Sequence, residues 1–152
     1  MSRDLSITNP EGTLTIQQMA GRCGLSEYTL RYYEKIGIIE PIPREASSGH
    51  RRYSEETAQR IEVLACLRAS GLSLADMRRY LRLLERGDEA AAEQQALFAA
   101  HAEKVAEDIR QLQIRQRYLK GKVAYWEARR KGDLQRAEQI AQANQEIAKE
   151  LN

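Results

Sequence analysis

The chain has 152 residues, room for one compact domain and an extended appendage, since a single core rarely needs more than about 100–150 residues. Hydrophobic residues make up 42% and charged ones 30%, and no apolar run nears the roughly 20 residues that cross a bilayer, so a membrane protein is not expected. The net charge of +2 is too small for a protein that coats nucleic acid without orientation, so any DNA binding must be local and oriented.

The first dozen residues, MSRDLSITNPEG, lack the apolar core of a signal peptide and read as a flexible arm over residues 1–13 of a cytoplasmic protein. In that compartment Cys23 and Cys66 are expected to stay reduced. From Leu14 to Cys23, Thr15 is placed as an N-cap, Gln18 as its capping-box partner, and Ile16, Met19 and Ala20 share one face. Gly24 stops this short helix, Leu25 plugs the turn, and Ser26 caps a second helix whose buried side carries Leu30 and one of two tyrosines. Two short helices about a glycine-containing turn make a helix-turn-helix.

Gly37 ends the second helix, and Ile38-Ile39 with Pro41 and Pro43 mark an extended strand that cannot lie inside a sheet. Ser47-Ser48-Gly49 supplies a turn and His50 to Tyr53 the return, which completes a wing. Ser54 to Thr57 opens a third helix running through Ile61, Leu64 and Leu67 to Gly71, and Ser73 caps a fourth that contains Leu74, Met77, Tyr80, Leu81 and Leu84. The winged module is thus expected over residues 14–86.

Gly87-Asp88 breaks the pattern, and from Glu89 to about Lys131 there is no proline and a single glycine, Gly121. One long helix is predicted, with Phe98, Val105, Leu112, Leu119 and Trp126 in one heptad column and Ala102, Ile109 and Val123 in the other, interrupted by Gln116. At about 1.5 Å per residue it extends on the order of 60 Å, too long to bury against so small a domain. Phe98, Val105, Ile109, Leu112, Leu119, Val123 and Trp126 therefore read as a dimerisation stripe over 87–131, with an intramolecular hairpin as the alternative. The tail, 132–152, has an apolar face of Leu134, Ala137, Ile140, Ile147 and Leu151 that sequence alone does not place. The expected fold class is mainly α: a winged helix-turn-helix followed by a coiled-coil dimerisation helix.

The densest cluster of DNA-directed chemistry lies between Leu25 and Tyr53. Arg31 has the fork that bonds guanine O6 and N7 together, and Tyr28 and Thr29 lie toward the exposed start of the same helix. Tyr32, Tyr33, Arg51, Arg52 and Tyr53 read as phosphate ligands, with one helix tyrosine alternatively packing under the wing. Thr15, Lys35, Arg44 and His50 complete the expected DNA-binding set. Glu34 is acidic and reads as an internal partner of Arg51 or Arg52.

These motifs resemble the MerR family of bacterial transcription regulators. The resemblance rests on Leu25-Ser26, Thr29-Leu30-Arg31-Tyr32-Tyr33-Glu34, Gly37 with Pro41, Gly49-His50-Arg51-Arg52-Tyr53, and Gly71-Leu72-Ser73-Leu74, and covers residues 14 to about 86. It implies an antiparallel homodimer that binds a pseudo-palindrome in an over-long promoter spacer of double-stranded DNA and distorts it to realign RNA polymerase elements. No cysteine follows Cys66, and neither His50 nor His101 joins a cluster with metal-ligand spacing, so neither metal nor cofactor is expected.

The run VLACLRASGLSL is similar to the NmlR/AdhR subgroup, which implies that Cys66 senses aldehydes, other small electrophiles or oxidants. A buried core role for Cys66 is the alternative. Two other functions stay open: the same regulator sensing a non-covalent apolar ligand, near Tyr80, Phe98 and Tyr118, or a coiled-coil adaptor that binds protein. An enzyme is not expected, because no glycine-rich phosphate loop or Ser/His/Asp arrangement is present.

Overall fold

A computed structural model describes residues 12–151 and is mainly α-helical. The chain divides into two compact units, one running through Leu97 and the other beginning at Phe98.

The first unit contains β1 (Thr13–Leu14), α1 (Ile16–Cys23), α2 (Glu27–Lys35), β2 (Tyr53–Ser54), α3 (Glu55–Ala69), α4 (Leu74–Glu85), a 3-10 turn at Gly87–Ala90 and the start of α5 (Ala91–Arg130). Every helix from α1 to α4 begins on a hydroxyl cap. The Thr15 hydroxyl accepts the Gln18 N–H at 3.2 Å while the Thr15 N–H donates to Gln18 Oε1 at 2.9 Å. Ser26, Ser54 and Ser73 accept from the Thr29, Thr57 and Asp76 N–H groups at 3.0, 3.2 and 3.2 Å. Each such cap contributes about 1 kcal/mol.

Met19, Leu30, Tyr33, Tyr53, Ala58, Ile61, Leu64 and Met77 form the core over which α1, α2, α3 and α4 pack. Arg22 ties α1 to α3 from outside, donating to Glu55 at 2.7 Å and Glu62 at 2.6 Å. At the unit's far end Leu83, Ala90 and Leu97 pack together with Tyr80, and the Gln94 amide donates to the Tyr80 carbonyl at 3.0 Å.

Two features differ from the sequence expectation. Residues 1–11 of the expected arm lie outside the described residues, but Thr13 and Leu14 pair antiparallel with Ser54 and Tyr53. The physical reason is burial: pairing seats Leu14 over the core on the strand that delivers Tyr53 into it. The wing is also thinner than a full hairpin. It is held by an isolated Arg44–Arg51 bridge, by Arg52 N–H donating to the Pro43 carbonyl at 2.8 Å, and by Glu45 N–H donating to the His50 carbonyl at 2.8 Å. Pro41 and Pro43 have no N–H to extend the ladder. Gly49, at φ +71°, closes the tip in a conformation that a side chain would strain.

In the second unit α5 runs on to Arg130, the chain turns at Gly132, and α6 (Leu134–Ala148) starts on Asp133, whose carboxylate accepts the Arg136 N–H at 3.0 Å. Helix α6 returns antiparallel along α5. Asn144 Nδ2 donates to the Tyr118 carbonyl at 3.2 Å, and Arg117 meets Glu150 at 2.6 Å near the end. The hairpin left open by sequence is therefore present. It is built on small residues: Ala128 and Ala137 are buried, and a Cβ on Gly121 would fall inside the Asn144 amide.

Helix periodicity puts Ile114, Gly121 and Ala128 on the face that α6 covers and the heptad stripe on the opposite one. Val105, Ile109, Leu112, Leu119, Val123 and Trp126 are accordingly 44–70% exposed, and Phe98 is half-buried. The long helix thus satisfies one apolar face within the chain and leaves the other open.

Candidate nucleic-acid interface

Helix α2 sorts its residues by the 3.6-residue period. Leu30 and Tyr33 point into the core, 1% and 3% exposed. On the opposite face Tyr28, Arg31, Tyr32 and Lys35 form one continuous exposed strip, with Tyr28 77% and Tyr32 41% accessible. Thr29 flanks the strip, its hydroxyl accepting a bond from Ser26 at 2.9 Å. A forked cation, a lysine and two phenols on one rigid surface suit base edges and phosphates at close range.

The wing is pinned to this helix by Glu34. Its Oε1 accepts the Ile42 N–H at 2.9 Å and its Oε2 accepts Arg51 Nε at 2.7 Å. Burial alone would raise the Glu34 pKa, but the Ile42 N–H and the Arg51 guanidinium outweigh it and hold the carboxyl below its ordinary range. Arg51 is thereby a wing anchor, half-buried, with its Nε engaged internally.

Arg52 donates to Glu45 at 2.7 Å, and that bond with one from Ser48 lowers the Glu45 pKa. The Glu45 side chain is 39% exposed, so a phosphate can exchange with it on Arg52. Arg44 and His50 are exposed beside the wing tip.

The structure corrects one tyrosine and decides another. Tyr53 is expected to hold a phosphate, and Tyr33 either to do so or, as one of the two helix tyrosines, to pack inward; both are core side chains, and Tyr53 is 1% exposed. Burial raises the Tyr53 pKa, and its hydroxyl has no hydrogen-bond partner among the described residues. The Tyr33 ring instead carries the Arg68 guanidinium 5.8 Å from its centroid. Thr15 is half-buried and held by its capping box at the start of α1.

The profile of the MerR helix-turn-helix regulatory protein family matches residues 14–84, and that of the MerR DNA-binding region matches residues 58–121. A probable heavy metal-dependent transcriptional regulator of Haemophilus influenzae is 33% identical over 66% of this chain and 77% of its own length. The chain belongs to the MerR family.

Other MerR relatives bear on its site. The transcriptional regulator AdhR of Bacillus subtilis is 36% identical over 62% of this chain, an overlap that spans 66% of AdhR. The crystal structure of HiNmlR, a MerR family regulator lacking the sensor domain and bound to promoter DNA, superposes with a TM-score of 0.68 at 29% identity. That match covers 84% of this chain and 95% of HiNmlR. These relatives are transcription regulators, not enzymes.

Two further places in the first unit of this MerR protein carry exposed charged or nucleophilic groups. A groove of about 300 Å³ beside α2 is lined by Tyr28, Thr29, Tyr32, Arg68 and Leu74, which adds a cation and the N-terminus of α4 to the same side of the molecule. Sequence reasoning passed over Arg68; the signal was an arginine one turn before the Gly71 turn, followed by the Ser73 cap. Cys66 is exposed on α3, which removes the alternative of a buried core residue, and its carbonyl accepts the Ser70 hydroxyl at 2.8 Å. Cys23 is half-buried, with its Sγ accepting the Leu25 N–H at 3.5 Å.

Proposed function

We propose that this MerR-family regulator binds a pseudo-palindromic promoter site as a homodimer and is switched when an aldehyde or related electrophile modifies Cys66. The observation that carries the DNA reading is the exposed strip Tyr28, Arg31, Tyr32 and Lys35 on a helix whose other face is locked in the core. Arg31, Tyr28 and Thr29 address base edges. Tyr32, Lys35, Arg44, His50, Arg52 and Thr15 hold the flanking backbone.

The open heptad stripe supplies the second copy, and two readers joined through it match an operator with two-fold symmetry. The promoter DNA held by HiNmlR supports the same mode. Bending or untwisting the duplex between two half-sites costs about 1–6 kcal/mol, which the phosphate contacts supply, and the strain changes how RNA polymerase meets the promoter.

The likeness to AdhR and the exposure of Cys66 support the inducer. Addition of the thiolate to a carbonyl carbon forms one C–S bond. The thiol proton ends on the former carbonyl oxygen, so no leaving group or oxidant is required. Modified Cys66 lies two residues before Arg68, whose guanidinium covers Tyr33 on the inner face of α2. The test is promoter-driven transcription with purified protein, titrated with formaldehyde. The native protein should respond and the Cys66→Ser protein should bind DNA without responding; an undiminished response in Cys66→Ser refutes the thiol switch.

A further inference from the structure

We propose that the cavity between the C-terminal half of α4 and the first turn of α5 binds a small organic anion, a carboxylate or phosphate on an apolar body. The cavity holds about 370 Å³ and is lined by Arg79, Arg82, Leu83, Arg86 and Glu93. That is within the size of small-molecule sites, which run to roughly 300–1,000 Å³.

The charge pattern is the first argument. Arg79, Arg82 and Arg86 are spaced three and four residues apart, so all three guanidinium groups emerge on one helical face, an arrangement that repels itself. Among the described residues only Arg86 of the three is compensated, by Glu93 at 2.8 Å. Arg79 and Arg82 are exposed, and neither has an ion-pair partner among the described residues. Cations in the last turn of a helix are stabilised by its dipole, but Arg79 sits in the middle of α4, where that effect has faded. A net excess of positive charge around a concavity is what an anion needs.

The floor is the second argument. Leu83, the one apolar residue lining the cavity, is 5% exposed and belongs to the cluster with Ala90 and Leu97, so the arginines rise from the edge of a packed apolar cluster. An aryl or alkyl body packs on the aliphatic stems of the arginines and the edge of Leu83 while its anionic head meets their forks, contacts that a bare inorganic ion does not make.

The site is tied to the reader. Arg78, the neighbour of Arg79, donates to the Ile36 carbonyl at the C-terminal end of α2. An anion that draws Arg79 and Arg82 together acts on α4 and, through Arg78, on the recognition helix. This consequence alone rests on the regulator reading; the binding site does not.

Isothermal titration of the full chain, without DNA and at fixed ionic strength, tests the proposal with benzoate, phenyl phosphate, inorganic phosphate and benzyl alcohol. Benzoate and phenyl phosphate should each bind saturably at one per chain, and more tightly than inorganic phosphate or benzyl alcohol. The Arg79→Gln/Arg82→Gln protein should lose at least tenfold in affinity. Glu93→Gln, which frees Arg86, should bind more tightly, and Lys104→Gln/Arg115→Gln, an equal charge change on exposed positions of α5, should bind as the native protein does.

Absence of saturable binding overturns the site. So does equal binding of inorganic phosphate or benzyl alcohol, an equal loss in the α5 control, or weaker binding by Glu93→Gln. A chain that binds benzoate but no DNA would leave this site standing and sink the regulator reading instead.

Discussion

Replacing Glu34 by Gln tests how the wing is held to the recognition helix. The carboxylate accepts two bonds, from the Ile42 N–H at 2.9 Å and from Arg51 Nε at 2.7 Å, and the paired side chains are only 15% and 19% exposed. Gln keeps an acceptor for Ile42 but turns an N–H₂ group toward Arg51 or leaves it with a neutral partner. The charge-assisted bond is what is lost, about 1.5–3 kcal/mol. For a head of this size that lowers the melting temperature by about 4–8 °C for each kcal/mol.

The pH dependence has a definite sign. Because the Glu34 pKa is lowered by folding, its stabilisation is full above the unfolded-state value of about 4.3 and is lost as pH falls through the lower folded value. Urea denaturation of both proteins at neutral pH and at stepwise lower pH provides the assay. The gap between them should be widest at neutral pH and close in acid. An unchanged midpoint at neutral pH, or a gap that widens in acid, refutes the claim that Glu34 anchors the wing as an anion.

Tyr53→Phe removes a buried hydroxyl that has no partner among the described residues, so chemical denaturation should find the variant as stable as the native chain or up to about 1 kcal/mol more stable. A loss of more than that would reveal a bond to the hydroxyl. Gly121→Ala should destabilise the α5–α6 hairpin by about 1–3 kcal/mol through collision with Asn144, whereas in an Asn144→Ala background the same change should stabilise by about 1 kcal/mol from helix propensity. Hydrogen exchange of α6 amides reads both, and the same sign in both backgrounds contradicts the packing. Leu112→Asp puts a charge in the middle of the open stripe and should yield monomers in sedimentation equilibrium; an undisturbed dimer would show that this face is not the interface.

Much of the head was legible because its signals are local. Thr15, Ser26, Ser54 and Ser73 cap helices by bonding N–H groups three residues on, a relation visible in a linear string. Glu34 was recognisable as an internal partner because an acid among cations cannot face phosphate. Tyr53 is read wrongly from sequence, and Tyr33 keeps two readings there, because a phenol is both apolar and polar, and only tertiary packing decides which end dominates. The strand at Thr13–Leu14 is two residues long and exists through its distant partner, so no local pattern announces it.

The return of α6 is only an alternative in the sequence for a related reason. Large side chains at heptad spacing draw attention to one face of α5, while the face that α6 covers relies on Gly121, Ala128, Ala137 and a buried Asn144. Small residues transmit close approach without leaving a hydrophobic signature. Arg68 and the cavity arginines of α4 were equally silent, since a charged helical surface reads as solvated until its concavity is seen.

The central claim is that two copies of the α2 face read DNA together. Selection of random duplex DNA by the full chain, followed by affinity measurement of the winning sequence over a salt series, tests it most directly. The account predicts an inverted repeat, a linear fall of log affinity with log salt, and a loss of about 1–3 kcal/mol in Arg31→Ala on that sequence with little loss on random DNA. Failure to enrich any repeat, or an equal loss for Arg31→Ala on selected and random DNA, would contradict it.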